Sequence, residues 1–227
     1  MHRSGMQHSL LVGALLAFCA LALGGCGAPD EEAKPRPLPE ELRELRPGEY
    51  RSDEFEPPFS FRVGEGWTNE APEMSDALFL TRGHERWLGF ASVQEVFIYN
   101  PTKTSSPNVV EAPEDMVGWF MRHPYLYTSQ PEHRVTVGGV EGKRFDVSVG
   151  ELPQDYFGEC GSSCVDLFRI GGAYPVFLRE KDSARLIVLE DVEGETVIVG
   201  FFSPAAEFDE HAPKAQKVLD TVQWRGS

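Results

Sequence analysis

Two pairs of apolar runs, each joined by a glycine-containing turn, most constrain the fold of this chain. Residues 134–140, Arg-Val-Thr-Val-Gly-Gly-Val, place a Gly-Gly pair between runs in which apolar and polar side chains alternate. Because only glycine adopts both positive φ values at low cost, this pattern predicts a β-hairpin with a two-residue turn. A second hairpin is predicted to join residues 185–192 to residues 195–202 across a Glu-Gly turn. Successive hairpins favour an antiparallel sheet.

Other short β-rich runs extend the predicted sheet to six or more strands. They are residues 59–63, 77–81, 87–99, 165–170 and 176–179. Together with the helices described next, they predict an α+β fold, a mostly antiparallel sheet of six or more strands flanked by helices.

Two segments have helical periodicity. Ala112–Pro124 is predicted to be a helix with Pro113 at its first position, and Pro124 is expected to stop it. Ala206–Val222 carries apolar side chains at intervals of three and four residues, and Pro213 predicts a kink or a new helix start within it. Trp224 is expected to anchor the end of the chain against the sheet.

The first 25 residues have the layout of a secretory signal and are excluded from the predicted fold. Arg3 precedes an apolar stretch, which is followed by two small residues. A transmembrane helix is the alternative, but the apolar run Leu10–Leu23 has only 14 residues. A membrane span needs about 20 residues, so the signal is favoured.

The leader ends in Leu23-Gly24-Gly25-Cys26, which resembles the lipobox of bacterial lipoproteins. The resemblance implies that a diacylglycerol is attached to the Cys26 sulfur, and that a peptidase then cuts just before this residue. Stable anchoring needs two or more acyl chains, such as palmitate, because one chain binds only marginally. An ordinary buried thiol is the alternative. The lipobox implies a protein anchored to the cell membrane on its extracytoplasmic side; inner and outer membranes are not distinguished.

The mature chain divides into a tether and one domain. Residues 26–49 contain five prolines among mixed charges, which favours a semi-extended spacer with at most one helical turn at residues 40–45. Residues 50–227 are predicted to form a single globular domain. Its order of elements, including the Val-Thr-Val-Gly-Gly-Val hairpin and the final Ala-Gln-Lys-Val-Leu-Asp-Thr-Val-Gln-Trp helix, is similar to the Mog1/PsbP-like fold of actinobacterial PsbP-like lipoproteins.

The PsbP-like resemblance covers about Tyr50–Trp224 and implies an α/β/α sandwich. It further implies an accessory or binding protein, since enzymes are not the rule in that family. No ligand residues are carried over, because no metal-site motif of the family is matched.

The chain contains four cysteines. Cys19 belongs to the leader and Cys26 is the predicted lipidation site, so Cys160 and Cys164 remain. In an exported domain such a pair usually forms a disulfide. A redox or metal site is the alternative, but the spacing is Cys-x3-Cys rather than the Cys-x2-Cys of those sites. A structural disulfide is therefore predicted.

No motif in the chain specifies a reaction, a metal or a cofactor. The His residues lack metal-ligand spacing, no Gly-x-Ser-x-Gly is present, and the adjacent glycines are typical of turns rather than phosphate loops. The formal net charge of −15 argues against nucleic acid and against a surface that lies on anionic lipid. A non-catalytic protein is therefore expected.

An aromatic group near the end of the first helix is the candidate binding site. Trp119, Tyr125 and Tyr127 surround His123, and on one surface they could line a groove for an apolar or sugar-like ligand. Core packing is the alternative for the aromatic residues. His123 also fits a cap of the helix C-terminus, where a cation is favoured by the helix dipole.

These observations lead to three hypotheses. The first is a membrane-anchored, non-catalytic binding or accessory domain for an envelope protein, lipid or glycan. The second is an exported hydrolase whose site is assembled from residues distant in sequence, and the third is a purely structural module. The sequence does not predict an oligomeric state.

Overall fold

The computed structural model describes residues 34–98, 109–129, 133–154 and 156–225. The predicted signal, the lipidation site Cys26 and the first part of the predicted tether lie outside the described residues. Lys34–Ser227 forms a compact unit of its own. Both hydrophobic core clusters lie within this unit, which is called the domain below.

The domain is rich in strands and contains two α-helices among its described residues. The strands of the first half are β1 (Arg36–Pro37), β2 (Arg43–Glu44), β3 (Gly48–Arg51), β4 (Phe59–Val63), β5 (Thr68–Asn69), β6 (Ala77–Thr81), β7 (Trp87–Ser92), β8 (Glu95–Phe97) and β9 (Val109–Glu111). The later elements are α1 (Met116–Arg122), β10 (Leu126–Thr128), β11 (His133–Val137), β12 (Val140–Val149), β13 (Cys164–Ile170), β14 (Tyr174–Arg179), β15 (Asp182–Val192), β16 (Glu195–Pro204), α2 (Phe208–Leu219) and β17 (Gln223–Trp224).

The strands form three layers. The central sheet has the order β10-β12-β15-β16-β7-β6-β5-β2, with β11 also paired to β12. A first outer sheet, β1-β3-β4-β17, packs with α2 against one face of the central sheet, and a second outer sheet, β14-β13-β8-β9, packs with α1 against the other. Only β1 and β3 pair in parallel among the described strands. The predicted α+β fold with a mostly antiparallel sheet and flanking helices is confirmed.

The central strands are buried on both faces. Leu186 and Val188 of β15 lie in the core cluster beneath the second outer sheet, whereas Ile187 and Leu189 lie in the opposite cluster. Strands buried on both faces have nearly continuous apolar sequences. This explains why Leu-Ile-Val-Leu in β15 and Val-Ile-Val-Gly-Phe-Phe in β16 show little alternation.

Both predicted hairpins are present. Gly138 and Gly139 have φ values of 56° and 89°, and they join β11 to β12 as expected for a two-residue turn. Trp224 lies directly beneath this turn, because a Cβ placed on Gly138 would be 2.7 Å from the Trp224 Cδ1. Trp224 is 4% exposed, and its Nε1–H donates a hydrogen bond of 3.0 Å to the Val137 carbonyl. Its predicted role as an anchor is confirmed.

The helices are shorter than the sequence predicted. Pro113 lies before α1 rather than at its first position, because the Asp115 side chain caps the helix and accepts a 2.7 Å hydrogen bond from the Gly118 N–H. The second helix continues through Pro213 without a new start. This proline is the sixth residue of α2, so the helix lacks the one hydrogen bond that an N–H at this position would donate to the Asp209 carbonyl.

The predicted spacer is also shorter, because residues 36–49 belong to the domain. β1 pairs with β3 and β2 pairs with β5, so residues 40–45 contain a bend and the short strand β2 instead of the expected helical turn. Leu45 is 2% exposed, and its N–H donates to the Trp67 carbonyl at 2.7 Å. The burial of Leu45 and the pairing of β1 and β2 together attach residues 36–49 to the domain, although their prolines favour a free spacer.

The predicted disulfide is formed. Cys160 and Cys164 are bonded across a tight loop, with their Cα atoms 6.5 Å apart. Cys164 is fully buried at the start of β13, so the bond fixes the loop to the second outer sheet.

Candidate functional site

An apolar cleft of about 700 Å³ opens between the central sheet and the second outer sheet. Phe79, Trp87 and Phe202 form its floor and come from the adjacent central strands β6, β7 and β16. The side chains of directly paired residues lie on the same face of an antiparallel sheet. In this register Trp87 pairs with Phe202, and Phe79 lies one row away, opposite Gly89.

Two glycines in the central strands provide the space for these rings. Gly89 and Gly200 pair with each other in the row that also contains Phe79. A Cβ on Gly89 would lie 2.6 Å from the Phe79 Cε1, and a Cβ on Gly200 would overlap the Phe202 ring. A glycine inside a strand often marks such a close approach. The rings of Phe79 and Phe202 therefore lie over glycine backbone, which forms the hollow under the cleft.

The other walls of the cleft are also mainly apolar. The second outer sheet contributes residues from the end of β13 and from its edge strand β14, and the loop between β5 and β6 closes a third side. These residues are Ala71, Pro72, Met74, Ile170, Tyr174, Pro175, Val176 and Phe177. Tyr174 is 62% exposed, so part of this apolar wall faces the solvent.

Charged side chains lie at the rim of the cleft. Glu85 and Arg179 form an ion pair, with 3.3 Å between the Glu85 Oε1 and the Arg179 Nη1. Asp182 accepts a 3.2 Å hydrogen bond from the Arg179 backbone N–H, and burial raises the pKa of its carboxyl. Glu70 and His84 complete the rim. The cleft thus combines an aromatic floor with a few polar groups, which is the usual composition of a ligand site.

A second depression of about 460 Å³ is mainly acidic. Its lining includes Glu56, Asp76, Glu193 and Glu195. The Glu195 Oε2 already accepts a 2.9 Å hydrogen bond from Gln94. No group of three or more His, Cys, Asp or Glu side chains within the described ranges could hold a metal ion. This depression therefore lacks both an apolar floor and a metal-binding arrangement.

The structure brings together three of the four aromatic-site residues predicted from the sequence. The His123 ring lies 5.2 Å from the Trp119 ring and 6.4 Å from the Tyr125 ring, measured between ring centroids. His123 and Tyr125 are each 7% exposed, and Tyr125 belongs to the core cluster beneath the second outer sheet. The alternative of core packing therefore describes them. Tyr127 is 64% exposed and has no ring contact with the other three residues in the described part of the chain.

His123 is the C-cap residue of α1, but it does not act as a cation there. Desolvation by burial lowers the pKa of His123 to about 4, so the ring is neutral at pH 7. The Nδ1 atom accepts a hydrogen bond of 3.3 Å from the Tyr125 backbone N–H. The predicted position is thus confirmed, whereas the predicted interaction of a charged ring with the helix dipole is wrong. The free-energy cost of burying a charged imidazole exceeds the stabilisation that the dipole of this two-turn helix would give it.

Because His123 is buried in its neutral form, we expect the domain to lose the stability that this residue contributes in mild acid. An unfolded histidine titrates near pH 6.5, so between about pH 6.5 and pH 4 the unfolded state binds a proton that the folded state excludes. The contribution of His123 to the free energy of unfolding should therefore fall by about 3 kcal/mol as the pH decreases through this range. Burial raises the pKa of Asp166 to about 6, which acts in the opposite direction, so the His123 contribution is the difference between the wild type and a variant without this ring. Urea unfolding of the wild type and of His123→Asn, whose Oδ1 can replace the Nδ1 acceptor, would measure this. Equal pH dependence in the two proteins would contradict the assignment.

The cleft was not predicted from the sequence because its residues come from six separate strands and two connecting segments. One local signal was nevertheless present. Gly89 and Gly200 each interrupt an otherwise apolar strand, in Trp-Leu-Gly-Phe and Val-Gly-Phe-Phe, and a glycine inside a strand is unfavourable unless it serves a close approach. Phe79, which pairs with Gly89, and Phe202, two residues after Gly200, both line the cleft.

Comparison with known proteins leaves the family open. No protein-family model matches the chain, and no curated protein sequence matches it. Among solved structures, the chain is similar to cyanobacterial PsbP (CyanoP) from Synechocystis sp. PCC 6803, with 8% sequence identity and a TM-score of 0.40. The alignment covers 80% of this chain and 95% of that chain. Similarity of this size assigns neither a family nor a function, so the description of the fold rests on the strands and helices themselves.

Neither helix within the described residues is both long enough and apolar enough to cross a bilayer.

Proposed function

We propose that this protein is a membrane-anchored extracytoplasmic lipoprotein whose domain binds an apolar ligand without transforming it. The apolar cleft is the observation that carries the proposal. Its volume of about 700 Å³ suits a small organic molecule, and its floor consists of the rings of Phe79, Trp87 and Phe202. The anchor at Cys26 and the signal that precedes it are part of the proposal and rest on the lipobox resemblance.

The arrangement of the rim favours binding over catalysis. A hydrolase needs a nucleophile or an activated water beside a general base. In the cleft the charged groups lie at the edge, where Glu85 is paired with Arg179 and Asp182 accepts a backbone N–H. No serine or cysteine is paired with a histidine in the lining, because Ser203 is its only hydroxyl residue apart from Tyr174. The exported hydrolase remains the alternative, and turnover of a bound ester or amide would support it.

A relationship to the PsbP-like lipoproteins is a further part of the proposal. It is supported by the order of the elements, in which α1 precedes the Gly138-Gly139 hairpin and α2 follows β16. It is also supported by the presence of one helix in each outer layer, α2 in the first and α1 in the second. An accessory role for an envelope protein, lipid or glycan follows from this relationship.

Removing the lipidation site should block both lipidation and cleavage of the leader. In Cys26→Ser the sulfur that would carry the diacylglycerol is absent, so the full-length chain should remain an uncleaved and unlipidated precursor. Mass spectrometry of the wild type should show a mature chain that begins at an acylated Cys26. Membrane fractionation of both proteins after expression in a bacterial host provides the second measurement. A Cys26→Ser protein that is shortened and still membrane-bound would contradict the anchor.

The binding function can be tested separately on the domain. The neutral fluorescent probe N-phenylnaphthylamine should bind residues 34–227 at a single site, with increased fluorescence as the probe enters an apolar environment. Energy transfer from tryptophan should accompany binding, and Trp87→Phe should reduce that transfer while binding persists. A domain that shows no saturable binding would overturn the proposed function.

A further inference from the structure

We infer that the apolar cleft selects an organic cation with an apolar body, such as an amphiphilic ammonium compound. This inference rests on the proposed function, because it assigns a ligand class to the same cleft. It is carried by the charges of the rim and by the aromatic faces of the floor.

The rim carries more negative than positive charge. Three carboxylates, those of Glu70, Glu85 and Asp182, line the cleft together with one guanidinium, that of Arg179. Arg179 is already engaged, since it pairs with Glu85 at 3.3 Å and its Cζ lies 5.3 Å from the centroid of the Phe177 ring. An anionic head group would therefore meet an excess of carboxylates, with the only guanidinium of the lining already paired.

Asp182 is a rim carboxylate that a cation would stabilise. It is half-buried at the start of β15, and its carboxylate accepts a backbone N–H from Arg179 but forms no ion pair with any residue in the described part of the chain. Desolvation makes the charged carboxylate costly at this position, and a cation beside it would reduce that cost. A bound ammonium group would thus supply a partner that the protein itself does not.

The floor and walls add a second attraction. The rings of Phe79, Trp87, Phe177, Phe202 and Tyr174 all line the cleft. The negative face of an aromatic ring attracts a cation within about 6 Å, and tryptophan does so best. These same rings bury an alkyl or aryl body by the hydrophobic effect. An ammonium group on an apolar body uses both properties at once, whereas a neutral ligand uses only the second.

The charge of the whole chain acts in the same direction. Its formal net charge of −15 creates a negative potential that raises the local concentration of small cations at low ionic strength. This effect is not specific to the cleft, and the experiment must separate it from local recognition.

Three ligands with the same alkyl chain and different head groups test the inference. Octyltrimethylammonium, octyl glucoside and octyl sulfate would each be titrated calorimetrically into residues 34–227, below their critical micelle concentrations and at physiological salt. We expect the ammonium compound to bind about tenfold more tightly than the glucoside, and the sulfate to bind least.

A matched pair of variants separates the cleft from the overall charge. Asp182→Asn keeps an oxygen that can accept the Arg179 N–H but removes the charge, and it should reduce the preference for the ammonium compound over the glucoside about fivefold. Asp191→Asn is the control, because Asp191 likewise accepts a backbone N–H, from Gly194 at 3.0 Å, but lies outside the cleft. It should leave that preference unchanged.

The outcomes distinguish this inference from the proposed function. If the glucoside binds in the cleft and the ammonium compound binds no more tightly, the selection of cations is wrong and the apolar binding function stands. Tighter binding of the sulfate, or equal effects of Asp182→Asn and Asp191→Asn, would also overturn the inference. If none of the three ligands binds, the proposed function fails with it.

Discussion

Replacing Trp224 by alanine should lower the free energy of unfolding of the domain by about 3–5 kcal/mol, the range for large aromatic side chains in protein cores. Trp224 is 4% exposed, and its ring centroid lies 5.0 Å from that of Phe59. It also lies beneath the Gly138-Gly139 turn and donates a hydrogen bond to the Val137 carbonyl. Its removal would leave a cavity where β17, β4 and the hairpin meet. Urea unfolding followed by circular dichroism would measure the loss.

Trp224→Phe provides the control for this prediction. Phenylalanine retains most of the buried apolar surface but lacks the indole N–H, so the Val137 carbonyl loses its 3.0 Å hydrogen bond from the ring. We expect a loss of about 1–2 kcal/mol, clearly smaller than that of the alanine variant. A loss below 1 kcal/mol for Trp224→Ala would contradict the role of this residue as an anchor.

Replacing Gly200 by alanine should weaken binding in the cleft at least tenfold while the domain stays folded. The new Cβ would occupy the position of the Phe202 ring, which lies back over Gly200 in the same strand. Phe202 is only partly buried and lines the cleft, so its ring can rotate into the open space instead of distorting the sheet. The displaced ring would fill the site that an apolar ligand needs. Titration with N-phenylnaphthylamine, together with the unfolding free energy, measures both consequences.

Gly64→Ala is the matched control for the change at Gly200. Gly64 is exposed, has an ordinary φ value, and a Cβ placed on it would have no neighbour within 4 Å. The Gly64→Ala variant should therefore bind the probe with the same affinity as the wild type. Equal binding by the wild type, Gly64→Ala and Gly200→Ala would show that the probe does not occupy the floor of the cleft.

The parts of the fold that the sequence predicted are those set by local chemistry. The Gly138-Gly139 turn, the strand Ala77–Thr81 and the capping position of His123 each depend on a few consecutive residues. The helix start at Asp115 instead of Pro113 was missed because a side-chain hydrogen bond outweighed the proline preference.

The parts that could not be predicted depend on contacts between distant segments. Residues 36–49 look like a spacer in the sequence, yet Leu45 is buried and β2 pairs with β5. The run from Trp87 to Phe97 divides into β7 and β8, which enter different sheets. Neither outcome has a local signal, because partners far along the chain decide both.

The candidate site illustrates the same limit. Trp119, His123 and Tyr125 are close in sequence and were therefore easy to group, but their packing is that of a core. Phe79 and Phe202 are separated by more than a hundred residues, and only the register of the central sheet brings them together. A composition rich in aromatic residues predicts that a cluster forms, whereas the strand register decides where an opening remains.

Nuclear magnetic resonance would locate the binding site most directly. Octyl glucoside would be titrated into isotopically labelled residues 34–227 while backbone and tryptophan side-chain amide signals are followed. The cleft should respond, with the largest shifts at Phe79, Trp87, Phe177 and Phe202 and little change at Trp119 or Trp224. Shifts centred on Trp119, His123 and Tyr125 would contradict the assignment of the ligand site to the cleft and would support the aromatic group predicted from the sequence.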